Sequence, residues 1–342
     1  MMNRAIYDVD LRAATAGLED AFRGKRFLVT GATGLIGSFM VDALMALDQG
    51  IEIHAAGRSA EGMRRRFGEA MDDPRFHFVP YDATQPVAFD FDVDYIVHAA
   101  CSAHPMAYAT DPVGTMKANV FGTMQLLEYL RSQPGARMIF LSTGETYGEN
   151  PDRPEGFRED DHGYVDPVNP RSCYPESKRA AETLCACYAA QYGAHAQVAR
   201  LCHVYGPTMT AVNSRADAQF LRDALNGEDI VMKSTGAQVR SWCYAADAVN
   251  AILTLLLKGE KGGATNVANR HSVASIREYA QTLADAGGVN LRFDLPPAVE
   301  QAGYTKITRA VLNPEKLEGL GWSARYDLRT GIEHTYRCLK ES

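Results

Sequence analysis

Short apolar segments alternate with helical ones, and a glycine-rich turn joins the first strand of the series to its first helix. These observations predict an α/β chain: a Rossmann-type doubly wound parallel sheet with a smaller C-terminal lobe. The strand segments are apolar throughout rather than alternating, as in a parallel sheet covered by helices on both faces. At 342 residues the chain is long enough for one such domain and an attached lobe.

Taken in order, residues 1–24 read as a polar lead-in with one short amphipathic helix around LRAATAGLEDAF. RFLVTG is then a buried strand, and the turn after it feeds the helix SFMVDALMAL. IEIHAAG, FHFVPYD and YIVHAA are further strands, each bounded by polar or turn residues. GTMKANVFGTMQLLEYLRS carries apolar residues at helical spacing. RMIFLST is another strand and SKRAAETLCACYAAQYG another helix. AQVARLCHVYG reads as a single strand that closes the main domain, residues 25–206. After Pro207 the alternation weakens. QFLRDALNGE is helical, DIVMKS extended, YAADAVNAILTLLLKG helical and GATNVAN a strand, and a turn-rich stretch from Pro296-Pro297 precedes a final helix. Residues 207–342 form mainly the smaller lobe, with elements from about 240–270 returning to the main sheet.

Composition narrows the function. The formal net charge is −7, against a nucleic-acid partner, which needs clustered Lys and Arg. The run Arg64-Arg65-Arg66 is short and isolated and reads as a solvated helix face. The opening MMNRAIYDVD lacks the apolar core of a signal peptide, and no stretch reaches the ~18 apolar residues that span a bilayer. Seven cysteines without a C-x-x-C pair argue against a zinc site or a disulfide framework; Cys185 and Cys187 face different directions on one helix. A cytoplasmic protein with no metal and no membrane partner is expected.

TGATGLIG spaces Gly31, Gly34 and Gly37 three apart between a strand and a helix. Glycine permits the tight turn and close approach to a pyrophosphate, and the helix N-terminus offers N–H groups and partial positive charge. The cofactor residues of this turn are Gly31, Thr33, Gly34, Leu35, Ile36 and Gly37. At the adenosine end, the second strand lacks the expected ribose-binding carboxylate and ends instead in Gly57 and Arg58. Arg58 either pairs with a 2′-phosphate, which favours NADP, or stacks on adenine with NAD bound. Asp82, after the third strand, is a partner for the adenine. The residues by themselves lean to NADP.

Tyr174 and Lys178 lie four apart at a helix start, so both face one side. An ammonium near a phenol is expected to lower the phenol's pKa. The resulting tyrosinate removes a hydroxyl proton while hydride leaves the same carbon for nicotinamide. Thr143, at the end of the strand RMIFLST, is placed to hold the reacting hydroxyl.

With these residues in view, the chain resembles an extended short-chain dehydrogenase/reductase of the nucleotide-sugar epimerase/dehydratase family over nearly its full length. TGATGLIG, YIVHAA, DPVGTMKANVFGT, FLSTGETYGE, the Tyr174–Lys178 pair, RLCHVYGP, VRSWCYAADAV and NPEKLEGLGW carry the resemblance. Within it, RSCYPESKRAAETLC, AQVRSWCYAADAV and HAACSAHPMAYATDP are most similar to the corresponding segments of UDP-glucuronate decarboxylases. The resemblance implies tightly held NAD, oxidation of C4 of the sugar, a reaction of the 4-keto intermediate and re-reduction within one turnover. It also implies a nucleotide-sugar substrate, UDP-linked in that group, with the smaller lobe binding it, and a homodimer built from helices flanking the sheet.

Site residues follow from the resemblance. Glu145 in STGETYG matches a glutamate shared by the dehydratases' STDEVYG and the decarboxylases' STSEVYG; it either moves a proton at C5 or hydrogen-bonds structurally. Gly144 departs from both motifs and puts simple 4,6-dehydration in doubt. Ala99 and Ala100, ending YIVHAA, complete the cofactor set with Tyr174 and Lys178. Arg240 matches the arginine that contacts the diphosphate. Arg215 and Gln219 are assigned near the base or phosphates, with Lys306 and Arg309 as further phosphate candidates. Asn119 organises backbone and water beside the site. His98 reads as a packed strand-end residue, and His104 as a contact to the sugar. The leading reaction is decarboxylation of UDP-glucuronate. Epimerisation at C4 or C5 and dehydration or net reduction remain open, as does, in another class, a non-catalytic dinucleotide sensor. Retention of Thr143, Tyr174 and Lys178 together argues against the sensor.

Overall fold

A computed structural model describes residues 3–101, 103–150, 153–295 and 308–340. The chain begins with α1 (Arg4–Thr15), capped by the Asn3 side chain, which accepts from Ala5 N at 3.1 Å. This helix lies earlier than the sequence reading placed it. Gly17, at φ +81°, ends the helical run, and Glu19–Phe22 is a separate 3-10 turn that buries Phe22.

The βα series follows: β1 (Arg26–Thr30), α2 (Leu35–Ala46), β2 (Glu52–Gly57), α3 (Ala60–Phe67), β3 (Phe76–Pro80) and β4 (Tyr95–His98). It continues with α4 (Pro105–Thr110), α5 (Pro112–Arg131), β5 (Arg137–Thr143), α6 (Cys173–Tyr192) and β6 (His195–Leu201). The remaining elements are β7 (His203–Tyr205), α7 (Ala216–Asn226), β8 (Ile230–Met232), β9 (Val239–Tyr244), α8 (Ala245–Lys258), β10 (Ala264–Val267) and β11 (Val273–Ser275). The chain ends with α9 (Ile276–Gly287), β12 (Leu291–Phe293), β13 (Arg309–Ala310), α10 (Glu315–Glu318) and α11 (Leu328–Lys340).

Seven parallel strands form the main sheet in the order β10-β6-β5-β4-β1-β2-β3, the doubly wound arrangement with one strand added beyond β6. Both faces are covered. Phe27, Val29, Val97, Ile139 and Leu141 point into one apolar cluster; Leu28, Ile96, Met138 and Phe140 point into the other. Strand order reverses between β1 and β4, which pair in register with Thr30 opposite His98. The crevice at the carboxyl ends of these strands is where such a sheet binds its ligand.

AQVARLCHVYG is not one strand. It breaks at Cys202, where β6 leaves the main sheet and β7 joins a second sheet around β9, which also pairs β11 and β13. The sequence pattern hides this break because both halves are apolar. Arg66 also departs from the solvated-face reading: its Nη2 lies 2.5 Å from Asp42 Oδ2, beside the Tyr7 hydroxyl. Arg64 and Arg65 do make exposed pairs, with Asp72 and Glu61. Cys185 is buried and Cys187 exposed. Among the described residues, no helix is long and apolar enough to cross a membrane, and no group of His, Cys, Asp or Glu could hold a metal ion.

Candidate active site

A groove of about 600 Å³ runs across the carboxyl ends of β1, β2, β4 and β5. Its floor is the turn between β1 and α2. Gly31 sits at φ +67°, and a Cβ there would lie 2.6 Å from the Ala99 carbonyl oxygen. A Cβ on Gly37 would lie 2.3 Å from the Gly31 oxygen, so both positions demand glycine for backbone approach. Gly34 caps α2 without a side-chain hydrogen bond, leaving the first-turn N–H groups for a ligand. Gly31, Thr33, Gly34, Leu35, Ile36 and Gly37 all line the groove, as do Ala99 and Ala100. A cradle that Cβ atoms would fill, at an uncapped helix N-terminus, fits a dinucleotide pyrophosphate.

Arg58 and Asp82 line the far end of the groove. Asp82 accepts from Thr84 N at 2.9 Å and Thr84 Oγ1 at 2.8 Å. The Thr84 amide chiefly, with lesser contributions from Arg58 and Lys117, holds the Asp82 carboxyl below its ordinary range. The Arg58 charge is therefore opposed locally by a carboxylate. That balance suits an uncharged ribose better than a 2′-phosphate and counters the lean to NADP.

The reacting groups arrive from two elements. β5 delivers Thr143 to the groove, and its Oγ1 accepts from Glu145 N at 3.2 Å. The loop after β5 returns through a 3-10 turn, Pro170–Ser172, into α6, whose first two turns carry Tyr174 and Lys178. Both side chains are buried and line the same groove as Thr143. Lys178 Nζ donates to the Leu141 carbonyl at 2.7 Å and sits 4.4 Å from the centroid of the Phe140 ring.

The expected acidification of Tyr174 by Lys178 is not how the protein alone is arranged. The ammonium is 5.8 Å from the phenol ring centroid and committed to a carbonyl. Burial holds the Tyr174 hydroxyl well above its usual range, with the Cys101 thiol and Glu145 acting in the same direction. The groups that draw it down are the Arg215 charge and a hydrogen bond with Thr143. Burial also pushes the Lys178 ammonium down.

Around this centre, Glu145 lies in the 3-10 turn Gly144–Tyr147, half exposed, with Oε2 3.0 Å from Arg171 Nη2. Arg215 lines the groove and donates to the Ala103 carbonyl at 2.7 Å. Arg240, in β9, is buried and donates to its neighbour's carbonyl, Val239 O, at 2.9 Å. His104 lines the groove mouth, with Nδ1 3.2 Å from Ser214 Oγ. Asn119 is fully buried behind α6; its Nδ2 donates to Ser177 Oγ at 2.9 Å, which puts it outside the groove lining. Burial, then the nearby Lys178 charge, lowers His98 to about 3. Its Nδ1 is 2.9 Å from Thr30 Oγ1, so it is a neutral packed residue.

Gln219 is not brought to the groove. It sits exposed on α7, bonded to Asp223 at 2.6 Å and Arg222 at 2.8 Å, neighbours one helical turn away that sequence spacing already offered. Arg309 pairs with the Pro154 carbonyl beside β9, and Lys306 lies outside the described residues, as does the Pro296-Pro297 stretch. Three residues of the site escaped the sequence reading. Tyr108, on α4, stacks on Tyr174 with centroids 4.6 Å apart. Arg171 precedes Tyr174 by three residues, a spacing without a recognised motif. His203 is lowered to about 3 by burial and by the charges of Arg215 and Arg240; it lies at the break between β6 and β7, which the pattern did not show.

Residues 27–268 match the model of the NAD dependent epimerase/dehydratase family. The chain is 34% identical over 307 residues to UDP-glucuronic acid decarboxylase 6 of Arabidopsis thaliana, covering 90% of this chain and 86% of that protein. DesIV, a dTDP-glucose 4,6-dehydratase from Streptomyces venezuelae solved with NAD and TYD bound, superimposes with a TM-score of 0.79. The two share 26% identity over 92% of this chain and 97% of that one. A UDP-glucuronic acid 4-epimerase from Bacillus cereus, solved with UDP-glucuronic acid and NAD, gives 0.76 at 22% identity, covering 92% and 99%.

Proposed function

This chain belongs to the NAD dependent epimerase/dehydratase family, and on that premise we propose that it is an NAD-dependent nucleotide-sugar enzyme acting as a UDP-glucuronate decarboxylase. The observation that carries the reading is the meeting of Thr143, Tyr174 and Lys178 in one groove with the glycine cradle. Similarity to decarboxylases along 90% of the chain supports the choice of reaction.

The residues lining the cradle, together with Arg58 and Asp82, would hold the dinucleotide. NAD, when bound, supplies a hydride acceptor and, once reduced, a hydride donor. Tyr174 accepts the proton of the sugar's C4 hydroxyl as that carbon is oxidised, and Thr143 orients the hydroxyl. The resulting 4-ketone is β to the C6 carboxylate. The C5–C6 bond breaks, carbon dioxide leaves, and the electron pair enters an enolate whose oxygen faces the Tyr174 hydroxyl. Glu145 relays a proton from solvent to C5, and Tyr174 returns to the C4 oxygen the proton it took from the C4 hydroxyl as the ketone is reduced. Lys178 keeps a positive charge behind the phenol, and its bond to Leu141 O fixes its position. Arg215 and Arg240 neutralise the diphosphate.

The main domain is read as residues 25–206 with elements from about 240–270, and residues 207–342 mainly as the sugar-nucleotide lobe. The expected homodimer belongs to the same reading: α5 exposes Val113, Met116 and Met124 at helical spacing. Among the described residues every cysteine is a free thiol, which is compatible with the cytoplasmic location expected.

Incubating the purified protein with UDP-glucuronate tests the proposal by product mass spectrometry. A UDP-pentose, lighter by one carbon dioxide, is expected. A product of unchanged mass with an inverted carbon would overturn decarboxylation in favour of epimerisation.

A further inference from the structure

Behind the reacting groups lies a largely buried ion pair that the chemistry above does not use. Ser142 and Arg200 stand opposite each other in register on β5 and β6, so their side chains leave the sheet on one face. That face is covered by α6: Phe140, two residues before Ser142, shares an apolar cluster with Ala181 and Cys185 of the helix. Glu182 lies on α6 one turn beyond Lys178 and two beyond Tyr174, on the same side. It takes both strand residues at once. The Ser142 hydroxyl donates to Glu182 Oε1. Arg200 donates through Nη2 to Oε2 at 2.8 Å and through Nε to both oxygens, at 3.2 and 3.1 Å.

Such a pair adds little to net stability. Each side chain is only 11% exposed, and taking two charges out of water offsets most of what their attraction returns. What it supplies is a fixed geometry. A guanidinium fork admits few orientations of its carboxylate, and a helix tied to two neighbouring strands cannot slide along either. Arg200 is itself anchored, donating to the Glu159 carbonyl at 2.9 Å and to the Tyr147 hydroxyl at 3.1 Å. The attachments fall on consecutive residues of β5. Lys178 is held by the Leu141 carbonyl, Glu182 holds Ser142, and the next residue, Thr143, hydrogen-bonds with Tyr174. A displacement of α6 along β5 would therefore open or close the gap between Thr143 and the phenol.

We infer that Glu182 is a positioning residue for the reaction: by holding Ser142 and Arg200 together it fixes α6 against the end of β5, and with it the spacing of Thr143 and Tyr174 around the C4 hydroxyl. This assignment rests on the C4 oxidation proposed above. Glu182 is not among the described residues that line the groove, so its loss slows the step without weakening binding. A misplacement of about 1 Å in such a constellation costs on the order of a hundredfold in rate.

The test is a single turnover: holoenzyme in excess is mixed with UDP-glucuronate, and the absorbance of reduced nicotinamide is followed in time. Glu182→Asp keeps the charge opposite Arg200 but is one methylene too short to hold Ser142 as well. It should slow nicotinamide reduction at least about tenfold at matched cofactor content. The amplitude of that phase, and UDP-glucuronate affinity by titration calorimetry, should stay within about twofold of the unsubstituted enzyme. Glu182→Gln keeps the reach and an acceptor oxygen, and should be the faster of the two variants. Ser142→Ala, which leaves the ion pair intact, should show the same slowing, and serves as the second variant if Glu182→Asp fails to hold its cofactor. A reduced amplitude at an unaltered rate, as a loss of folded protein alone would give, overturns the inference while leaving the decarboxylase reading intact. So does a glutamine variant slower than the aspartate one, since charge rather than reach would then matter. If the unsubstituted holoenzyme shows no nicotinamide reduction with UDP-glucuronate, the reading proposed above fails and takes Glu182's role with it.

Discussion

At the residue scale, the cofactor turn is governed by distances rather than by propensity. A methyl group on Gly37 has nowhere to go but into the Gly31 carbonyl, 2.3 Å away. Overpacking of that kind costs about 1–3 kcal/mol when the backbone must shift. Gly37→Ala should therefore lower NAD affinity by about tenfold or more, measured by fluorescence titration; unchanged affinity would show that α2 does not pack as described. The glycines, Tyr174, Lys178 and Thr143 were legible in the sequence because each sits where a strand meets a helix, so spacing alone places it. Arg171, Tyr108 and His203 were not. Their positions depend on a 3-10 turn, a six-residue helix and a strand break, none of which leaves a periodic trace. Gln219 failed for a different reason: its own helix supplies Arg222 and Asp223 as partners, and local pairs satisfied its amide. Sequence spacing gives Tyr174 proximity to Lys178 but not the Leu141 carbonyl that claims the ammonium, so the expected acidification does not follow.

At the element scale, α1 ties the two parts of the molecule together. Asp10, fully buried, accepts from the Tyr244 hydroxyl at 2.6 Å, and its other oxygen lies 2.8 Å from His334 Nδ1. These partners belong to β9 and α11, whereas Tyr7, one turn earlier on α1, reaches Asp42 of α2 at 2.5 Å. Asn250 of α8 completes the attachment, donating to the Ala14 carbonyl at 3.2 Å. Asp10→Ala leaves the buried Tyr244 hydroxyl and the partly buried His334 ring without their acceptor and should cost about 2–4 kcal/mol. Thermal denaturation checks this against the exposed Asp20→Ala, which should change little; equal effects would remove α1's bridging role. The sequence showed an amphipathic segment here but not its extent, since nothing marks Asn3 as a cap until the helix that follows is known. The main strands were read correctly because burial on both faces makes them apolar throughout. Of the three-residue strands, β8 was read as the extended DIVMKS, whereas β11 and β12 are too short to declare themselves.

At the scale of the whole molecule, buried ionisable groups set the response to acid. His98 and His203 are lowered to about 3 and His54 to about 4, in each case chiefly by burial. The unfolded chain protonates these rings below about 6.5, whereas the folded chain does not until pH 3 to 4. Across that window the unfolded state binds more protons, so stability rises with pH. Asp247 acts the other way. Burial raises it to about 6 despite hydrogen bonds from the Arg325 and Tyr326 amides, so its contribution is lost as pH climbs from about 4 to 6. Burial raises Asp217 as well, while His104 and His195 are lowered like the other three rings, so five imidazoles outweigh two carboxylates. The midpoint of thermal unfolding should increase from pH 4.5 to 6.5, and more steeply in Asp247→Asn. A flat or falling midpoint would contradict the burial of these histidines.

Turnover, as proposed, rests on one phenol exchanging a proton with the sugar's C4 hydroxyl inside the dinucleotide groove. Carbon dioxide release from UDP-glucuronate labelled at C6, measured for the unsubstituted enzyme and for Tyr174→Phe at matched NAD content, tests this most directly. Release by the former, with a loss of at least about a hundredfold in the latter, is the predicted result. Comparable release by both proteins would contradict it.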